Sequence, residues 1–128
     1  MKLLLDNHVF LWLDNEPERL SPRLQTLCQD SETELLLSVV SLWEIQIKNT
    51  IGKLNLRLPL QQLLDDQQQV NGLNLLPVIP AHVFALEHLP LIHKDPFDRL
   101  IIAQAMVEGL TLASADMHVI KYPISVIP

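Results

Sequence analysis

The three glycines constrain this chain most, because each follows a stretch of helical character: Gly52 after residues 41–51, Gly72 after residues 60–71 and Gly109 after residues 96–108. Glycine just past the last helical turn adopts the left-handed conformation that closes a helix without a Cβ penalty. Ser21-Pro22 and Asp95-Pro96 mark helix starts in the complementary way, a capping side chain followed by proline at the first helical position. Further helices are expected over residues 8–13, 22–30 and 81–88. Between the helices lie short apolar runs, residues 2–5, 35–40, 74–79 and 110–113, which read as buried strands. Residues 122–127 read as an edge strand, because Pro123 cannot donate to a ladder. Strands alternating with helices predict an α/β domain with a mostly parallel central sheet.

The chain of 128 residues is 48% hydrophobic and 19% charged, which suits one globular domain over residues 1–128. The single cysteine, Cys28, cannot form an internal disulfide, so a reducing, cytoplasmic setting is expected. The leucines after Lys2 stop at Asp6 with no small-residue cleavage site following, so no leader is expected, and no apolar run is long enough to span a membrane. Nine basic against fifteen acidic residues give a net charge of −6, which argues against binding nucleic acid by bulk charge. An enzyme reaching nucleic acid through a metal is still compatible with it. The mean hydropathy of +0.22 leaves room for apolar surface against a partner, although a leucine-rich core explains it equally.

Ligands of parallel sheets bind beyond the carboxyl ends of the strands. Asp6 closes the first strand, Glu44 is expected in the first turn of the helix after the second, and Asp116 follows the fourth. The helix over residues 96–108 must run from that edge to the opposite one, which puts Asp98 at the same edge. Two carboxylates about 5 Å apart repel by roughly 3 kcal/mol at an effective dielectric near 20. A cluster of four must therefore take up protons or bind a cation. Oxygen ligands without His or Cys favour Mg²⁺ or Mn²⁺, ions suited to activating water against a phosphodiester. Taken singly, the acids have plainer readings. Ser41-x-x-Glu44 fits a capping box, Asp95-Pro96-Phe97-Asp98 a cap with a favourable charge near the helix dipole, and Asp6 and Asp116 turn or cap positions. The five histidines lack the spacing of a zinc site, and Trp12 and Trp43 read as core anchors.

The segments Leu3-Leu4-Leu5-Asp6-Asn7-His8, Ser38-Val39-Val40-Ser41-Leu42-Trp43-Glu44-Ile45, His93-Lys94-Asp95-Pro96-Phe97-Asp98-Arg99-Leu100 and Ser114-Ala115-Asp116, in this order, closely resemble the PIN-domain family. The nearest branch contains the toxins of VapBC-type toxin–antitoxin pairs. The resemblance implies a three-layer α/β/α fold and a Mg²⁺- or Mn²⁺-dependent endoribonuclease. Asp6, Glu44 and Asp98 match its three core acids, and Asp116 its more variable fourth. It implies that Asp6 and Asp98 bind the metal directly, while Glu44 and Asp116 act through water or position the attacking water. Ser114 falls where a hydroxyl residue often sits, and Asn7 replaces the usual Thr or Ser. Asn7, Ser114 and Arg99 are candidates for touching substrate or ordering the surroundings of the metal. Arg99 and Lys48 are candidates for phosphate contact that also read as ordinary helix-face charges, and Lys53 and Arg57 are weaker candidates for touching RNA outside the site. The implied partners are an RNA substrate, a cognate antitoxin that blocks the acidic site, and a second copy of the chain. Two other readings compete with it: a response-regulator receiver, whose paired acids and final lysine are lacking here, and a non-catalytic or weakly active PIN-like binding module.

Overall fold

Leu3, Leu4 and Leu5 are all fully buried, and a strand's alternation sends Leu3 and Leu5 to one face and Leu4 to the other. Such a strand needs cover on both sides. The computed structural model, which describes residues 1–128, supplies it. The strands are β1 (Lys2–Leu5), β2 (Glu34–Ser38), β3 (Asn74–Leu76), β4 (Thr111–Ala113) and β5 (Val126–Ile127). They form one sheet of order β3-β2-β1-β4-β5, parallel at every pairing. The helices are α1 (Asn7–Asn15), α2 (Pro22–Gln29), α3 (Val39–Thr50), α4 (Leu60–Asn71), α5 (Pro80–Ala85) and α6 (Pro96–Glu108).

On one face Leu3, Leu5, Leu35 and Leu37 pack against Phe10 of α1, Leu24 of α2 and Leu63 of α4. On the other, Leu4, Leu36 and Leu112 meet Ile101, Ile102 and Ala105 of α6. Helix α3 serves both, giving Ile45 to the first core and Val40 to the second. This is a three-layer α/β/α architecture. At about 1.5–3 kcal/mol for each fully buried leucine side chain, the two-sided leucine ladder of β1 and β2 is its main source of cohesion. No helix is long and apolar enough to cross a membrane.

The glycines behave as expected: φ is +64° at Gly72 and +65° at Gly109, which cap α4 and α6, and +76° at Gly52 just beyond α3. Several boundaries differ from the sequence expectation. β2 ends at Ser38 rather than at residue 40, because the Ser38 hydroxyl accepts from Val40 N at 3.0 Å and caps α3 itself. β3 ends at Leu76 rather than at 79, where Pro77 has no N–H for the ladder. β5 is confined to Val126–Ile127 rather than residues 122–127, since Val119–Lys121 form a 3₁₀ turn and the chain bends before it pairs. The last part of the helix expected over residues 81–88 tightens to a 3₁₀ turn, Leu86–His88.

One polar pin crosses the second core. Fully buried Gln104 accepts from the Ser38 hydroxyl and donates from Nε2 to Pro77 O at 3.3 Å. It thereby ties α6 to the ends of β2 and β3. Gln104→Met keeps the volume but strands both partners, so it should cost about 1–3 kcal/mol. The readout is a lower urea midpoint at unchanged slope. An unmoved midpoint would mean the pin contributes nothing net.

Candidate metal centre

The first two acids are set by strand ends. Asp6 follows β1, caps α1 by accepting from Val9 N at 2.8 Å through Oδ1, and its own N–H continues the ladder to Ala113 O. Glu44 projects from the second turn of α3, one turn later than the sequence suggested, because the helix starts at Val39. The Ser41–Glu44 capping box therefore does not form. Ser38 is the cap, and the Ser41 hydroxyl is buried with no partner. Glu44 instead pairs its Oε2 with Lys48 Nζ at 2.8 Å, while its buried Oε1 has no partner.

Asp98 lies in the first turn of α6, whose cap is Asp95: Asp95 Oδ1 accepts from Phe97 N and Asp98 N. Asp116 follows β4, its N–H donating to the Ser114 hydroxyl at 3.1 Å and its Oδ1 accepting from His118 N at 2.8 Å. All four acids line one cavity of about 600 Å³, together with Asn7, Ser114, Lys48, Asp95 and His93. Asp98 is the common member of two tighter groups. Its oxygens lie with those of Glu44 and Asp95 within 4.8 Å, and with Asp116 and His93 within the same distance.

The electrostatics follow from this crowding. Asp98 is pushed up to about 6 by burial first, then by the Asp95 and Glu44 carboxylates, with His93 opposing and Asp116 adding a little. Asp6 is also held above the ordinary carboxylate range by burial, against the relief given by the Ser114 hydroxyl and the Val9 N–H. Both shifts disfavour the charged form, and a cation would reverse them. The buried, unpartnered Glu44 Oε1 and the surrounding carboxylates make an oxygen-rich donor set, so the residues present fit a hard divalent ion such as Mg²⁺ or Mn²⁺.

Some residues lie elsewhere than expected. Arg99 does not line the cavity: its guanidinium donates to Pro90 O at 2.8 Å, Tyr122 Oη at 3.2 Å and Leu86 O at 3.5 Å. Those bonds hold the guanidinium against the loop before α6 and away from the cavity. Arg57 is held by Asp14 and Asp66, and neither it nor Lys53 reaches the cavity. Trp43 is 61% exposed rather than a core anchor, standing edge-on to Phe97 with ring centroids 4.9 Å apart. Trp12 is half-buried on the cavity wall with Arg19 over its ring at 4.6 Å. Two residues were missed. Asp95 was read only as a cap, although a cap and the third helical residue are neighbours in any such start. His93 was set aside for want of a His or Cys partner, yet its Nε2 lies 2.9 Å from Asp98 Oδ2 and 3.5 Å from Asp116 Oδ2. Only the sheet topology brings residues 93 and 116 together.

The sequence and the fold both have known counterparts. The PIN domain family matches residues 3–124. Ribonuclease VapC22 of Mycobacterium tuberculosis is 32% identical over 119 residues, covering 89% of this chain and 86% of its own. Among solved structures, VapBC2 from Rickettsia felis, crystallised bound to a DNA fragment from its promoter, aligns over 99% of this chain and 98% of the other with a TM-score of 0.74 at 18% identity. FitAcB from Neisseria gonorrhoeae aligns over 98% and 96% with a TM-score of 0.62 at 20% identity. At these identities the two structures speak for the fold.

The raised Asp98 fixes a pH dependence. Its folded value of about 6 lies above the ordinary 3.8, so the folded chain holds this proton more tightly than the unfolded chain. The stability this gives is complete below about pH 4 and is lost as pH rises through about 6. In EDTA, Asp98→Asn should match the wild type near pH 4 and exceed its Tm by roughly 4 °C near pH 8. A gain independent of pH would refute the assignment of the strain to Asp98.

Proposed function

The chain belongs to the PIN-domain family, in its VapC-like branch, and on that premise we propose that it is a Mg²⁺- or Mn²⁺-dependent endoribonuclease, the toxin of a VapBC-type pair, built as one domain over residues 1–128. The observation that carries the proposal is the meeting of Asp6, Glu44, Asp98 and Asp116 in one cavity, with a buried carboxylate oxygen of Glu44 left without a partner. Asp6 and Asp98 would hold the ion directly, and Glu44 and Asp116 through water or by positioning the attacking water. A bound divalent ion supplies an activated water and neutralises charge developing on the phosphate and the leaving oxygen.

The remaining work falls to this chain's own groups. Asp6 and Glu44 each have one oxygen fixed, by Val9 N and Lys48 Nζ, so their carboxylates are oriented before any ligand arrives. Asn7 is buried beside Asp6 with its Oδ1 unpartnered, available to order a water or a substrate hydroxyl. Fully buried Ser114 receives the Asp116 N–H, and its hydroxyl opposes the upward pull of burial on Asp6, so it bears on two of the acids.

Two protein partners belong to the same reading. An antitoxin would cover the acidic cavity with a basic group, as the net charge of −6 and the carboxylate lining favour. A second copy would cover Val39, Trp43, Ile47 and Ile51, an exposed stripe at four-residue spacing on α3, and Val83 and Phe84 on α5. Both helices pack on α6, and such a face is costly to leave wet. Free Cys28, its thiol pushed up by burial, suits action in the reducing cytoplasm.

Calorimetry with Mn²⁺ on antitoxin-free protein tests the centre: the wild type should bind, and Asp98→Asn should weaken binding by at least about 100-fold. RNA cleavage should fail in EDTA, return with Mn²⁺, and be lost in Asp98→Asn. A wild type that binds no metal would sink the proposal. Cleavage surviving Asp98→Asn would point to a contaminating nuclease. For the second copy, solution scattering at micromolar concentration should give a dimer mass that Trp43→Glu reduces to the monomer. A wild-type monomer would refute that part alone.

A further inference from the structure

Both ring nitrogens of His93 have close polar neighbours, and the bond at Nδ1 determines where its proton sits. The Asp95 N–H points at Nδ1 from 3.2 Å. A backbone amide can only donate, so Nδ1 must offer its lone pair, and the neutral ring carries its hydrogen on Nε2. That nitrogen lies 2.9 Å from Asp98 Oδ2, with Asp116 Oδ2 more distant at 3.5 Å. The polar Nε2–H edge of the ring therefore faces Asp98 more closely than Asp116.

The ring is fastened from behind. His93 N donates to Tyr122 Oη at 2.7 Å, and Arg99 donates to the same oxygen at 3.2 Å and to Pro90 O at 2.8 Å. Tyr122 is buried beside the last 3₁₀ turn. One anchored phenol thus fixes the loop carrying His93 to the helix carrying Asp98.

We propose that His93 is a positioning residue of the metal centre, holding Asp98 by Oδ2 so that Oδ1 remains for the ion, and that it is not itself a ligand. The role rests on the metal reading of the acidic cavity. Ligation through Nε2 would require the proton to move to Nδ1, where it would confront the Asp95 N–H, donor against donor. A polar N–H edge held against one carboxylate oxygen, with the other left open, is what a ligand with like-charged neighbours requires. Arg99 and Tyr122 act through His93, which is a different use of Arg99 from contact with phosphate.

Two conservative variants separate the two ends of the ring. His93→Gln can place an amide N–H near the position of Nε2, and His93→Asn can replace only the acceptor at Nδ1. In Mn²⁺ calorimetry, with thermal unfolding checking that each variant is folded, His93→Gln should bind within about threefold of the wild type. His93→Asn should bind about 10–100-fold more weakly. Imidazole proton–nitrogen correlation spectra of the metal-free wild type should show the Nε2–H tautomer, a readout that needs no variant. Pulsed electron paramagnetic resonance of bound Mn²⁺ should show no directly bonded imidazole nitrogen. Equal affinity of His93→Asn and wild type, an Nδ1–H tautomer, or a ligated nitrogen lost in His93→Gln would each overturn the proposal. A wild type that binds no Mn²⁺ would overturn the metal reading and this role with it. Binding unaffected by His93→Asn would overturn this role alone.

Discussion

Like-charge repulsion around Asp98 is the constraint to which the rest of the acidic edge answers. Its carboxylate lies with Glu44 and Asp95 on one side and Asp116 on the other, each group within 4.8 Å. Each close pair costs on the order of 3–4 kcal/mol at an effective dielectric of 20. Helix termini offset some of this: Asp6 caps α1, Asp95 caps α6 and Asp98 lies in its first turn, where the peptide dipoles favour negative charge. A favourable helix end contributes only about 0.3–1 kcal/mol, which is too little. Burial first, and then the remaining repulsion, displace Asp98 upward, while Asp6 is displaced chiefly by its own burial; a cation would relieve both.

The sheet makes this crowding possible by being rigid where the charges meet. The order β3-β2-β1-β4-β5 reverses direction of travel at β1, so the chain leaves β1 toward β2 on one side and meets β4 on the other. Such a switch point opens a crevice beyond the strand ends. Asp6 emerges from β1 on one wall and Ser114 from β4 on the next. Their backbones remain in the ladder, Asp6 N bonding to Ala113 O and Ser114 N to Ile127 O. The leucines below are buried on both faces, so the edge cannot relax its repulsion by moving apart without opening a core.

The architecture was legible because glycine, proline and capping residues mark helix ends through local backbone physics, and three of the four acids could be placed from strand ends. Glu44 reached the same edge by a different route than expected. Val39 and Val40 read as strand because they continue the apolar run from residue 35, yet Ser38 captures the Val40 N–H and starts the helix early. The apolar pattern lost there to a cap. The bonds that hold Arg99 are hidden in the sequence because its partners, Pro90, Tyr122 and Leu86, are near it only in the folded chain. His93 was illegible for the same reason: its loop has no periodicity, and its meaning depends on Asp116 and Tyr122 from beyond the next strand.

The acidic edge and the exposed apolar face are not independent surfaces, because the same helices build both. Successive residues of a helix point about 100° apart. In Trp43-Glu44 the acid turns into the cavity while the indole stays in solvent, and in Phe97-Asp98 the same step separates ring from carboxylate. Trp43 and Phe97 then meet edge to face, bridging α3 and α6 outside the two acids those helices carry. The spacing between Glu44 and Asp98 is thus set by an aromatic contact on the outer side as well as by the core below. A partner seated on that face would press on the contact that separates the two carboxylates, so the proposed assembly and the proposed metal site would be coupled through α3 and α6.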